Sequence, residues 1–90
     1  MSMDEQYAQM QNFELALTAF NERLRAYLAG LQVQHDHVSP LWQDAMRQEY
    51  DAVWGPFRET MQHYVASEGP GYVEFLTIKL HALRRYLYGD

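Results

Sequence analysis

Along the first third of the chain, large apolar side chains return at Met10, Phe13, Leu17, Phe20, Leu24, Tyr27 and Leu31, in alternating steps of three and four residues. Side chains three and four apart stand on one side of an α-helix, so this spacing is a heptad seam. Glu14, Thr18, Asn21, Glu22, Arg23 and Arg25 fill the intervals, and no proline or β-branched run interrupts them. Local propensity and apolar period therefore agree on one long helix, from about residue 4 to about 35. Leu15 and Leu28 widen the stripe beyond a strict two-stranded seam, which suits a helix packed against more than one neighbour.

The stretch His35-Asp36-His37-Val38-Ser39-Pro40 is expected to end this helix. A residue before proline is pushed out of the α region, and Ser39-Pro40 supplies a capping hydroxyl followed by the preferred first-turn proline. A second helix is predicted from about 40 to 67, with Leu41, Trp42, Ala45, Met46, Val53 and Trp54 beginning its apolar face. Gly55-Pro56 falls inside it. An interior proline deletes a backbone hydrogen bond and clashes with the carbonyl four residues earlier, so a kink is predicted near 55–56. The stripe continues in phase through Phe57, Met61 and Tyr64, which favours a kink over a loop.

Glu68-Gly69-Pro70-Gly71 reads as a stop, with glycine placed to take a left-handed conformation and proline unable to continue the helix. A third helix is predicted from about 72 to 88, with Val73, Leu76, Leu80, Leu83 and Leu87 on one face and Phe75, Ile78 and Tyr86 around it. With so little polar circumference it should be mostly buried, in cis or against a second chain. Short connections imply antiparallel neighbours. The fold expected is all-α: residues 1–90 as a single helical domain, an antiparallel hairpin with a third C-terminal helix, forming a three-helix bundle either alone or completed by dimerisation.

Composition narrows the function. Apolar residues make up 48% and aromatics 14%, too rich for a disordered chain. The net charge is −5 and the seven Lys and Arg are scattered, so no basic stripe for nucleic acid exists. Without cysteine there is no disulfide framework and no thiolate nucleophile. The acidic start, Asp4-Glu5, is not that of a Sec-type signal, and no apolar run approaches a membrane span.

Candidate chemistry is sparse. His35, Asp36 and His37 carry metal-ligand side chains, with His63 or His81 able to join from another helix, but His35 and His37 point to opposite sides of any helix. They read better as polar residues near a helix C-terminus. Asp44, Glu49 and Asp51 are carboxylates for acid–base work by type, yet their spacing is that of a solvated helix face. No nucleophile elbow, phosphate loop or dinucleotide fingerprint occurs, so no enzymatic function, cofactor or small-molecule substrate is expected. Lys79, Arg84 and Arg85 complement the dipole of the last helix. The aromatics Phe13, Phe20, Tyr27, Trp42, Trp54 and Phe57 are expected mainly in the core, some of them at an interface.

The turn Ser39-Pro40-Leu41-Trp42-Gln43-Asp44, with Tyr50, Trp54, Pro56 and Phe57 downstream, resembles the WXG-type (ESAT-like) superfamily of small helical hairpins exported by type VII systems, and in particular its distant bacterial members. The resemblance covers roughly residues 7 to 67. It implies a paired, four-helix assembly, with Trp42 and Asp44 in the name-giving motif. Here Trp42-Gln43-Asp44 stands where that motif ends in glycine, and the third helix is extra. The family's export signal is a tyrosine followed four residues later by an acid; Tyr64/Glu68 and Tyr86/Asp90 both fit. Seven tyrosines and twelve acids produce one such match by chance, so secretion is not inferred from it.

The function expected is a non-enzymatic helical protein-protein interaction module that self-associates or binds a protein partner through its aromatic and methionine-rich stripe. Trp42, Trp54, Phe57, Phe75, Ile78 and Tyr86 are the interface candidates. The alternatives are a type VII-related secreted or chaperone-like hairpin, and a small metal-binding regulatory domain. The expected location is cytoplasmic, with Sec-independent export as the alternative.

Overall fold

The computed structural model describes residues 2–89. Ser2 opens the first helix, its hydroxyl accepting the Glu5 N–H at 3.1 Å, with Asp4 and Glu5 placed favourably in the first turn of the dipole. Helix α1 runs Met3–Val38 without interruption. A 3-10 turn, Ser39–Leu41, follows directly, and α2 occupies Met46–His63. A π-helical turn, Tyr64–Glu68, leads into α3, Gly69–Tyr88, which ends on Gly89 at φ 76. The described residues contain no strand.

Three expectations need correction. Helix one does not stop near 35: Ser39 stays helical at φ −50, ψ −49, its N–H bonded to the His35 carbonyl. The break comes at Trp42, where the backbone becomes extended. Helix two accordingly begins at Met46 rather than near 40, and the capping oxygen belongs to Asp44, not Ser39: Asp44 Oδ1 accepts the Met46 N–H at 3.0 Å.

The third correction is larger. Gly69-Pro70-Gly71 does not reverse the chain, because the π turn prepares the way for Pro70. In α register the proline ring would collide with the Ala66 carbonyl. The wide turn shifts the register, and the Gly69 N–H reaches back five residues to the Tyr64 carbonyl. The helix thus continues from Met46 to Tyr88, passing through Pro56 as well. At 1.5 Å per residue such a rod is about 64 Å long. The longest dimension of the molecule is 64 Å, against 21 and 17 Å across. The architecture is two antiparallel rods; the three-helix bundle within one chain is not formed.

Side-chain bonds between the rods fix their register. Tyr88 donates to Asp4 at 3.3 Å, Thr77 to Glu14 at 3.1 Å, and Tyr64 to Asn21 at 2.8 Å. The inter-rod seam on α1 is half-buried Tyr7, Met10, Glu14, Leu17, Asn21 and Leu24, opposite Val73, Leu76, Leu80, Leu83 and Leu87. It shares Met10, Leu17 and Leu24 with the predicted seam. The predicted core residues between them do not join it: Phe13, Phe20 and Tyr27 are 58%, 53% and 71% exposed. Leu80 is the single buried large apolar residue among those described. The expectation that α3 is mostly buried is therefore not met within one chain.

The rods approach closely at Gly69, which is buried. A β-carbon there would lie 3.1 Å from Asn21 Cγ and from Tyr64 Cε1. Gly69→Ala is expected to destabilise the fold by about 1–3 kcal/mol through overpacking, whereas Gly30→Ala, with nothing near its β-carbon, should stabilise it by up to about 1 kcal/mol. Chemical denaturation of the two variants checks this. Equal effects of one sign would remove the close approach at Gly69.

Candidate functional site

Two features stand out from the plain hairpin: an aromatic cluster at the turn, and two unlike faces along the rods. At the turn, α1 contributes His35, the connection Trp42, and α2 Tyr50, Trp54 and Phe57. The His35 ring stacks on Trp54 with centroids 4.6 Å apart and planes 11° apart, and its Nδ1 lies 2.7 Å from the Tyr50 hydroxyl. Trp42 tilts against Tyr50 at 5.0 Å, and Trp54 against Phe57 at 5.8 Å. These flat side chains space α1 from α2 by the thickness of a ring, while Gly69 lets α1 and the second rod meet closely further along.

Polar bonds hold the connection in place. Arg47 donates through Nη1 to the Ser39 and Trp42 carbonyls, through Nη2 to Ser39 Oγ at 2.7 Å, and through Nε to Asp51 at 3.0 Å. One guanidinium thus satisfies two carbonyls of the connection between α1 and α2. Asp44 Oδ1 accepts Trp42 Nε1 at 2.8 Å as well as the start of α2. Trp54 Nε1, by contrast, is buried with no hydrogen-bond partner.

The suspected chemistry is dispersed. His35 turns inward to Trp54, Asp36 accepts Gln32 Nε2 at 2.9 Å, and His37 is exposed. Among the described residues no group of three or more His, Asp or Glu is arranged to hold a metal ion. Asp51 is engaged by Arg47, and Asp44 by the turn. His63, at the end of α2, lies 3.3 Å from Glu68 across the π turn. Arg47 and Asn21 read in the sequence as surface and carry no role there, while Tyr50 and Tyr64 stand in the sequence pattern without their bonding partners His35 and Asn21.

The interface candidates divide between the two features. Trp42 and Trp54 are half-buried in the turn cluster, with Phe57 at its edge. Phe75, Ile78 and Tyr86 are 58%, 59% and 76% exposed on α3. Asp90 lies outside the described residues. Lys79 places its Nζ 5.3 Å above the Phe75 ring, a cation on an aromatic face. Tyr88, beside the Asp4 carboxylate, has its pKa raised by that negative charge.

The faces differ in chemistry. On one, Phe13 and Leu17 of α1 and Tyr72, Phe75 and Leu76 of α3 line an open depression with almost no polar surface. Phe20 and Tyr27, seven and fourteen residues after Phe13, extend this side along α1. On the other face the groove between the rods is bordered by Thr18, Asn21, Glu22, Arg25 and Glu74. One face carries an aromatic stripe; the opposite groove has Val65, Pro70 and Val73 within it and the charged Glu22, Arg25 and Glu74 along its border. No helix among the described residues is long and apolar enough to cross a membrane.

No family model matches the chain, and neither curated proteins nor solved structures give a match.

Arg47→Ala is expected to cost about 1–3 kcal/mol, because it leaves part-buried carbonyls without a donor. Arg47→Lys should recover less than half of that, since an ammonium cannot fork between Ser39 and Asp51. Denaturation midpoints of both variants test it; an unchanged midpoint for Arg47→Ala would mean the turn is held by other means.

Proposed function

We propose that this chain is a helical protein-protein interaction module without enzymatic activity, and that its apolar stripe mediates self-association. The observation that carries this reading is the deficit of core. The accessible surface is 6981 Å². A compact monomer of the same mass exposes about 5,500 Å². The radius of gyration is 19.6 Å, where about 12 Å is usual for this length. The surplus, about 1,500 Å² per chain, is of the size that obligate homodimers bury on each partner.

Position supports the same conclusion. Part of the surplus falls on large aromatic side chains that share one face, Phe13, Phe20, Tyr27, Tyr72 and Phe75, while Leu15, Val33, Leu41, Met46 and Val53 are exposed elsewhere. Stacking a second hairpin on that face produces a four-helix bundle in which every rod has two neighbours. The extra width of the α1 stripe then has a use. Aromatic side chains with few rotatable bonds lose little entropy on docking, which makes them effective anchors.

A second reading, a type VII-related exported or chaperone-like hairpin, draws its support from the place of Trp42 in the turn between two rods and from the exposure of Tyr86 near the C-terminus. Deleting residues 86–90 discriminates. Retention of a normally exported chain favours this reading, and unchanged intracellular localisation removes it.

Self-association is tested by sedimentation equilibrium. A dimer is expected at micromolar concentration, and Phe13→Glu or Phe75→Glu should shift the chain toward monomer, with loss of helix in circular dichroism because the hairpin then lacks cover. A wild-type chain that stays monomeric and unfolds cooperatively would overturn the proposal.

A further inference from the structure

On the charged side of the hairpin, toward the turn, the aromatic spacing between α1 and α2 opens a trough of about 390 Å³. Its floor is apolar: Leu28 and Ala29 from α1, Trp54, Phe57, Val65 and Ala66 from the second rod. Arg25 and Arg58 stand at its rim, one from each rod, beside Gln32 and Gln62. No acidic residue lines it, although the chain as a whole carries −5. Neither arginine forms an ion pair among the described residues, whereas Arg47 nearby does. The volume lies within the ordinary range for small-molecule sites, which combine an apolar wall with a few orienting polar groups.

We propose that this trough binds a single-chain amphiphile with an anionic head, of the fatty-acid type. The acyl chain lies on Leu28, Trp54, Phe57 and Val65, along a floor that from Trp54 to Ala66 measures about 18 Å at helical rise. The carboxylate is held at the rim by guanidinium forks, which match its geometry in two parallel hydrogen bonds. Glu22 and Glu74, in the adjoining groove beyond Arg25, repel an anion and close that direction to the head group. The occupied trough covers the exposed part of the Trp54 ring. The site lies opposite the Phe13 and Phe75 face, so it neither needs self-association nor competes with it.

Titration of the full chain with dodecanoate below its micellar concentration tests the proposal, followed by calorimetry and by the emission of the tryptophans. One dodecanoate per chain is expected, with a saturable blue shift as water leaves Trp54. Arg25→Gln combined with Arg58→Gln should weaken binding about tenfold or more, the cost of losing the charge-assisted pairs, with the helix content unchanged because both side chains are exposed. Dodecanol, with the same tail and no charge, should bind about as weakly as dodecanoate does to the double variant. Equal affinity for dodecanol, an unaffected double variant, or no saturable binding would overturn the assignment. So would binding to phosphatidylglycerol vesicles alone, which would make the arginines a membrane contact instead. Oligomeric state is measured in the same samples, so a monomeric chain that still binds dodecanoate separates this site from the self-association reading.

Discussion

A pair of helices can cover only one stripe on each rod, and this limit governs the whole molecule. Helix α1 carries an apolar arc wide enough for two seams, one through Glu14, Asn21 and Leu28 and one through Phe13, Phe20 and Tyr27, with Met10, Leu17 and Leu24 common to both. The hairpin fills the first and leaves the second open. Because α2 and α3 form one rod rather than two, the chain has no third helix with which to cover the remainder. Two residues, Gly69 and Leu80, are buried among those described. The other apolar side chains of the seam, Met10, Leu17, Leu24, Val73, Leu76, Leu83 and Leu87 among them, are only half-buried.

The spacing between the rods is set locally by opposite means. At Gly69 the absence of a side chain lets Asn21 and Tyr64 close on the backbone. At the turn His35, Tyr50 and Trp54 interpose stacked rings, with Arg47 and Asp44 fastening the connection beneath them. The groove is consequently narrow along α3 and wide along α2. The trough bordered by Arg25 and Arg58 is a consequence of that divergence, as the tight crossing is a consequence of the glycine.

Much of this was legible in the sequence, and the misreadings have physical causes. The all-helical class and the long first helix follow from a period that no other element shares. The period does not fix the phase of the stripe: Met10, Leu17 and Leu24 lie on both seams, and the apolar residues between them lie on the uncovered one. True seam members Glu14, Asn21 and His35 are polar, so a search for apolar period passes over them. Each is bonded across the seam, to Thr77, Tyr64 and Tyr50 respectively, a pairing that the apolar period does not encode. Gly69-Pro70-Gly71 was read as a stop because proline is incompatible with α register. A π turn removes that incompatibility, and its cost and placement depend on the packing of Gly69 against Asn21, which only the fold reveals. Ser39-Pro40 misled for a related reason, since the 3-10 turn tolerates proline where an α-helix would not.

The distribution of polarity assigns different tasks to the two seams. Within the hairpin, Tyr88–Asp4, Thr77–Glu14, Tyr64–Asn21 and His35–Tyr50 are spread from one end to the other, and a slip of one residue would break all four. Such bonds contribute modestly to stability, but they make one register much better than its neighbours. The open stripe has no comparable set of directional groups. Its Phe13, Phe20, Tyr72 and Phe75 offer area and shape with little directional bonding. The internal register is thus set by directional bonds that the open stripe does not share, and under the self-association proposed above docking strength and register would vary independently.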